Sequence, residues 1–130
     1  MKMDLETNYT FAVGLAPVSV AAGTDAGASQ DHAAGHSGAF ILNTGAYSSG
    51  ASITMKIQYN ETDTASTYSD DDATTGNDSA ATLTAAGILI LNVPNPMGRY
   101  TRAFITVATD AVVNGVTNVL GPLRKVAPTS

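Results

Sequence analysis

The sequence predicts an all-β fold: a two-layer antiparallel β-sandwich, jelly-roll-like, with a flexible N-terminal arm and long loops. Three observations predict it. Six or seven short β-type runs are separated by turn residues. Between Ser52 and Asn60, Ile53, Met55, Ile57 and Tyr59 alternate with Thr54, Lys56 and Gln58, which is the period of a half-buried strand. No stretch repeats apolar residues at helical spacing, and Ala80–Ala86 offers one short helical turn at most. The 130 residues, 13.2 kDa, fit one domain. The expected boundaries are an arm over 1–10, a sandwich over 11–123 and a tail over 124–130.

The elements follow in order. Residues 1–10 are polar and form an arm that orders only against something else. Phe11–Val20 carries Pro17, which cannot donate to a central ladder, so it is expected at a sheet edge. Residues 21–38 are small and Gly-rich and predict a long surface loop. Phe40–Leu42 is a short strand, ended by the turn residues Asn43, Thr44 and Gly45. Ser52–Asn60 is the clearest strand. Residues 61–80 hold Glu61, Asp63, Asp70, Asp71, Asp72 and Asp78 with no basic residue, and are expected outside the core, with Tyr68 pinning them to the sandwich. Gly87–Val93 is a continuous apolar run, as in a strand covered on both faces. Asn95–Gly98 suits a type I turn. Arg99–Thr109 is a long strand with Ala103, Ile105 and Val107 on one face and Arg102, Phe104 and Thr106 on the other. Asn114-Gly115 sits between two Val-rich runs and predicts a tight hairpin turn, with its second strand reaching about Leu123.

Composition narrows the function classes. Six basic against eleven acidic residues give a net charge of −5, which argues against nucleic-acid binding through a basic surface. The absence of cysteine excludes disulfides, thiol catalysis and Cys zinc sites. The N-terminus has no apolar region of a secretory signal, and no run has the length of a membrane helix, so neither membrane nor secretion is expected.

Candidate chemistry is sparse. His32 and His36 stand four apart, but Gly35 and Gly38 oppose a helix and no general-base Glu lies between them, so two solvated loop histidines are expected. Gly35-His36-Ser37-Gly38 looks superficially like a serine nucleophile segment, yet both histidines lie in the same loop, leaving no rigid triad. Asp70, Asp71 and Asp72 are consecutive, unlike the alternating acids of an EF-hand. A solvated loop is expected there, with a weak cation site as the alternative. No catalytic residue, cofactor site or enzyme activity is assigned. Residues 81–130 hold Arg99, Arg102, Arg124 and Lys125 against one acid, Asp110. The basic C-terminal half and the acidic loop can either set register in an assembly or simply cancel within the molecule.

Three segments carry a resemblance: Met55–Asn60 running into an acidic Thr/Ser-rich loop, the Arg-Tyr-x-Arg strand Arg99–Val107, and the Val-rich stretch Val112–Leu120. With these, Ile53–Leu123 resembles the small β-sandwich decoration (cement) proteins of tailed-bacteriophage capsids. It departs from many of them in having Thr62-Asp63 and Tyr68 where they carry Asp-Gly and Trp. The resemblance implies a non-enzymatic virion protein, made in a host cytoplasm and placed on the outer capsid surface. It implies two partners, the major capsid protein and further copies of itself in a homotrimer. Its interface candidates are Met1, Lys2, Asp4, Glu6 and Tyr9 of the arm, Arg99 and Arg102 of the strand, and Arg124 and Lys125 of the tail. The alternative is a head-fibre or tail-associated adhesin that recognises a host-cell surface.

Overall fold

The structure, a computed structural model, describes residues 9–33, 37–47, 50–71 and 77–121. Among them, ten strands follow in chain order: β1 (Thr10–Val20), β2 (Gly23–Ala26), β3 (Gln30–Asp31), β4 (Gly38–Tyr47), β5 (Ser52–Asn60), β6 (Ser69–Asp70), β7 (Ala80–Leu83), β8 (Gly87–Val93), β9 (Tyr100–Ala108) and β10 (Val112–Leu120). Sheet A has the order β1-β10-β4-β8. Sheet B has the order β2-β9-β5-β6, with β3 also on β9 and β7 also on β5. All the pairings are antiparallel. The chain alternates between the sheets: β1 in A, β2 and β3 in B, β4 in A, β5 to β7 in B, then β8 in A, β9 in B and β10 in A. That winding is the jelly roll, two Greek keys folded over one core.

The core lies between the sheets and follows from period-two patterning. Sheet A turns Phe40, Leu42, Leu91, Val93, Val112 and Val116 inward, and sheet B meets them with Ile53, Met55, Ile57, Ala103, Ile105 and Val107. The strand Ser52–Asn60 has the bounds its alternation predicts, and Arg99–Thr109 shortens by one residue at each end.

Several expectations are corrected. The Gly-rich stretch 21–38 is not one surface loop. It supplies β2 and β3, both paired with β9, and buries Gln30 and His32. Just past β2, Gly27 N–H donates to Ala103 O at 2.8 Å and Ala28 N–H to Gly14 O at 2.9 Å, which ties the stretch to both β9 and β1. Asn43-Thr44-Gly45 does not end its strand: β4 runs on to Tyr47, held by β10 on one side and β8 on the other. Ala80–Leu83 is a strand on β5, not a helical turn.

Asn114-Gly115 is not a hairpin turn either. Both residues are buried inside β10, where Gly115 pairs with Asn43 of β4 and Asn114 with Val18 of β1. The glycine answers to packing rather than to a turn. Pro17 crosses directly over it, so that a Cβ at 115 would sit 3.1 Å from Pro17 Cα. Pro17 in turn falls where the β1–β10 register shifts between Leu15 and Val18, the edge irregularity that a proline needs. The β10 strand ends at Leu120, short of Leu123.

Candidate functional site

The most unusual surface is the outer face of sheet A. None of the residues in β1, β4, β8 or β10 is charged. Cross-strand register builds the face in rows. Val13 pairs with Thr117, Thr117 with Ile41, and Ile41 with Ile90. Beside that row, Phe11 pairs with Val119, Val119 with Ala39, and Ala39 with Asn92. Val13 is 65% exposed, Ile88 64% and Ile90 50%. Phe11 and Val113 are exposed too. Gly115 contributes no side chain, and Val13, Pro17, Gly45 and Val113 rim a shallow depression over it. A contiguous apolar patch of this kind marks an interaction surface, because scattered single apolar residues are normal and a grouped set is not.

This face also corrects the reading of Gly87–Val93. The run is apolar throughout, but only Leu89, Leu91 and Val93 point inward, and Ile88 and Ile90 point out. An apolar run reads the same whether its second face is covered by the chain or left for something else.

The outer face of sheet B is polar and internally paired. Thr24, Thr106, Thr54 and Thr82 form one row across four strands, with Thr54 Oγ1 and Thr82 Oγ1 2.7 Å apart. Lys56 Nζ lies 5.0 Å over the Phe104 ring and donates to Asp70 Oδ2 at 3.0 Å. Gln58 donates to Asp70 Oδ1 at 3.0 Å and accepts from Arg102 Nε at 2.9 Å. The Gln58 amide first, and then Lys56, hold the Asp70 carboxyl below its ordinary value. Arg102 continues the chain: its Nη2 donates to Ala65 O, and its guanidinium stacks 4.0 Å from the Tyr68 ring. Tyr68 donates to Asp63 Oδ1 at 2.9 Å. Partial burial first, and then that carboxylate, push its hydroxyl up to about 12. Tyr68 therefore packs the acidic segment onto sheet B.

The interface candidates divide accordingly. Arg99 and Arg102 are spent inside the molecule: Arg99 grips Asp31 with two hydrogen bonds of 3.0 Å, and Arg102 serves Gln58, Ala65 and Tyr68. The Arg99 hydrogen bond, and then the Ala33 N–H, hold the Asp31 carboxyl below its ordinary value. Tyr9 stands at one end of the sheet A face, its ring 6.5 Å from that of Phe11, beside Ala39 and Val119. Met1, Lys2, Asp4, Glu6, Arg124 and Lys125 lie outside the described residues, as do His36 and Asp72.

Asp70 and Asp71 do not converge. Asp70 is on the outer face of sheet B, whereas Asp71 is buried and accepts from Asn77 Nδ2 at 2.8 Å. Among the described residues, no group of three metal-ligating side chains comes together. His32 is not solvated. It is 6% exposed and hydrogen-bonded to Thr101 Oγ1 at 2.6 Å, a contact between residues 69 apart that local sequence cannot reveal.

The residues that sequence reasoning missed are therefore Phe11, Val13, Ile41, Ile88, Ile90 and Thr117. The available signal was the complete absence of charge from four separated segments that share one sheet. No known family model matches the chain, and no curated protein matches it in sequence.

Proposed function

We propose that this chain is a non-enzymatic structural protein that adheres through the outer face of sheet A, in the manner of a capsid decoration protein. On this reading it docks on the outer surface of a phage head and bridges major capsid protein subunits. The observation that carries it is the uncharged apolar face spanning all four strands of the sheet. The jelly-roll winding supports it only as an analogy, because capsid proteins and lectins both use this fold. Stabilisation would follow from mass action: a protein that binds only the assembled, expanded shell shifts the equilibrium toward it.

Magnitudes shape the proposal. Strand spacing and rise make a four-strand patch of six residues roughly 300–400 Å². A standard interface needs about 800 Å² from each partner. One face alone is thus a weak site, suited to a repeating lattice that offers several contacts at once.

The test is co-sedimentation of purified protein with expanded phage heads and, separately, with bacterial cells. Binding to heads, weakened by Val13→Glu, is the expected result. Binding to cells without binding to heads would establish the adhesin reading instead.

A further inference from the structure

The two edges of sheet A are built differently. The β1 edge is blunted by Pro17 and by two register shifts against β10. The β8 edge has no such device: all seven of its residues pair with β4 in unbroken register, and none is charged or proline. An unprotected apolar edge strand is a template for another strand.

The hydrogen bonds define how much of that edge is available. Asn92 N–H donates to Asp78 Oδ2 at 2.8 Å, and Asp78 N–H donates to Asn92 O at 2.9 Å, both on the flank of β8 that faces away from β4. Backbone direction alternates along a strand, so Ile90 and Ile88 present their N–H and C=O groups to the same flank. Gly87 N–H, of opposite parity, donates inward to Thr44 Oγ1 at 3.0 Å. Among the described residues, nothing pairs with the backbone of Ile88 or Ile90 on that flank. A cleft between Ser79–Ala81 and Leu89–Leu91 runs beside it.

From this edge we infer that two copies of the chain pair β8 against β8 in antiparallel, about a two-fold axis at Leu89. In that register Ile88 of each copy faces Ile90 of the other. Both pairs are of the hydrogen-bonded kind, giving four backbone bonds, and both stack isoleucine on isoleucine on the outer face. The edge is its own complement, which is what an isologous contact requires. Asp78 limits the pairing by occupying Asn92. Charge favours the same partner: residues 79–93 are uncharged in a chain of net charge −5, so two copies approach there with least repulsion. The axis stands perpendicular to the sheet, so the two apolar faces join into one of roughly 600–800 Å². That approaches the area that one face lacks. The resemblance implies three copies; this edge argues for two.

Sedimentation velocity across a concentration series tests the inference, together with hydrogen exchange at Ile88 and Ile90. The expected result is a species of twice the 13.2 kDa chain mass. Its Ile88 and Ile90 amides should exchange more slowly as concentration rises. Ile90→Pro removes one edge donor without touching the β4 ladder, and Ile90→Lys sets a charge into the contact. Each should weaken pairing roughly tenfold or more while circular dichroism stays β. A monomer at every concentration, a trimer indifferent to Ile90→Lys, or edge amides that exchange fast in the dimer would overturn the pairing. None of these outcomes bears on whether the face binds a phage head, so the two readings fail separately.

Discussion

The outer faces of the two sheets differ in what they do with their polar chemistry. Sheet B carries Lys56, Asp70, Gln58 and Arg102 in one hydrogen-bonded chain that ends on Tyr68, and Arg99 closes on Asp31 beside it. Its charges satisfy one another. Sheet A carries no charge in any strand and leaves Val13, Ile88 and Ile90 at least half exposed. The difference teaches which surface is finished. A surface whose polar groups are already paired gains little from a partner, whereas an apolar surface in water gains by covering itself.

The largest effect is expected from removing what the two faces share. Ile105→Ala opens a cavity in the common core and should cost about 2–5 kcal/mol in denaturant unfolding, degrading both faces together. Next comes Gly115→Ala. Its Cβ meets Pro17, and the collision should cost about 1–3 kcal/mol and loosen β1 from sheet A. Hydrogen exchange should show faster amides in β1 and unchanged ones in β5 and β9; uniform loosening would mean that sheet A has no independent edge.

Gln58→Ala breaks the polar chain of sheet B at its middle. It should cost about 1–2 kcal/mol, because the side chain is buried and its loss takes the acceptor from Arg102 Nε, while Nη2 keeps Ala65 O. Binding through sheet A should be untouched. Acid should act on the same side. Asp31 and Asp70 have folded pKa values below 3.8, so their contribution is fully present above that value and is lost as pH falls below it toward the folded pKa. Tyr68 runs the other way: its contribution is present below pH 10.0 and is lost as pH rises toward about 12. An ultraviolet titration should show a late component that Tyr68→Phe removes.

The smallest effect on stability belongs to Val13→Glu, within about 0.5 kcal/mol for an exposed site. It should nonetheless change adhesion most among these variants. If it alters stability strongly and adhesion not at all, the contrast between the faces has been misread.

How much of this was legible depends on how local the cause is. The alternation in Ser52–Asn60 places Ile53, Met55 and Ile57 inward wherever that strand goes, so the strand, its bounds and its buried face all follow from the residues. The apolar character of Gly87–Val93 was equally plain, but whether Ile88 and Ile90 are covered depends on what else the chain brings there.

The sequence by itself determined the β class, one core, the absence of thiol chemistry and the strands with clean alternation, because side-chain period and composition act over a few residues. Tertiary structure alone decided that Asn114-Gly115 lies inside a strand, since pairing with β1 and β4 outweighs a local turn preference. It also decided that His32 is buried against Thr101 and that four uncharged segments share one face. Each depends on which distant strands become neighbours, and no local pattern encodes that.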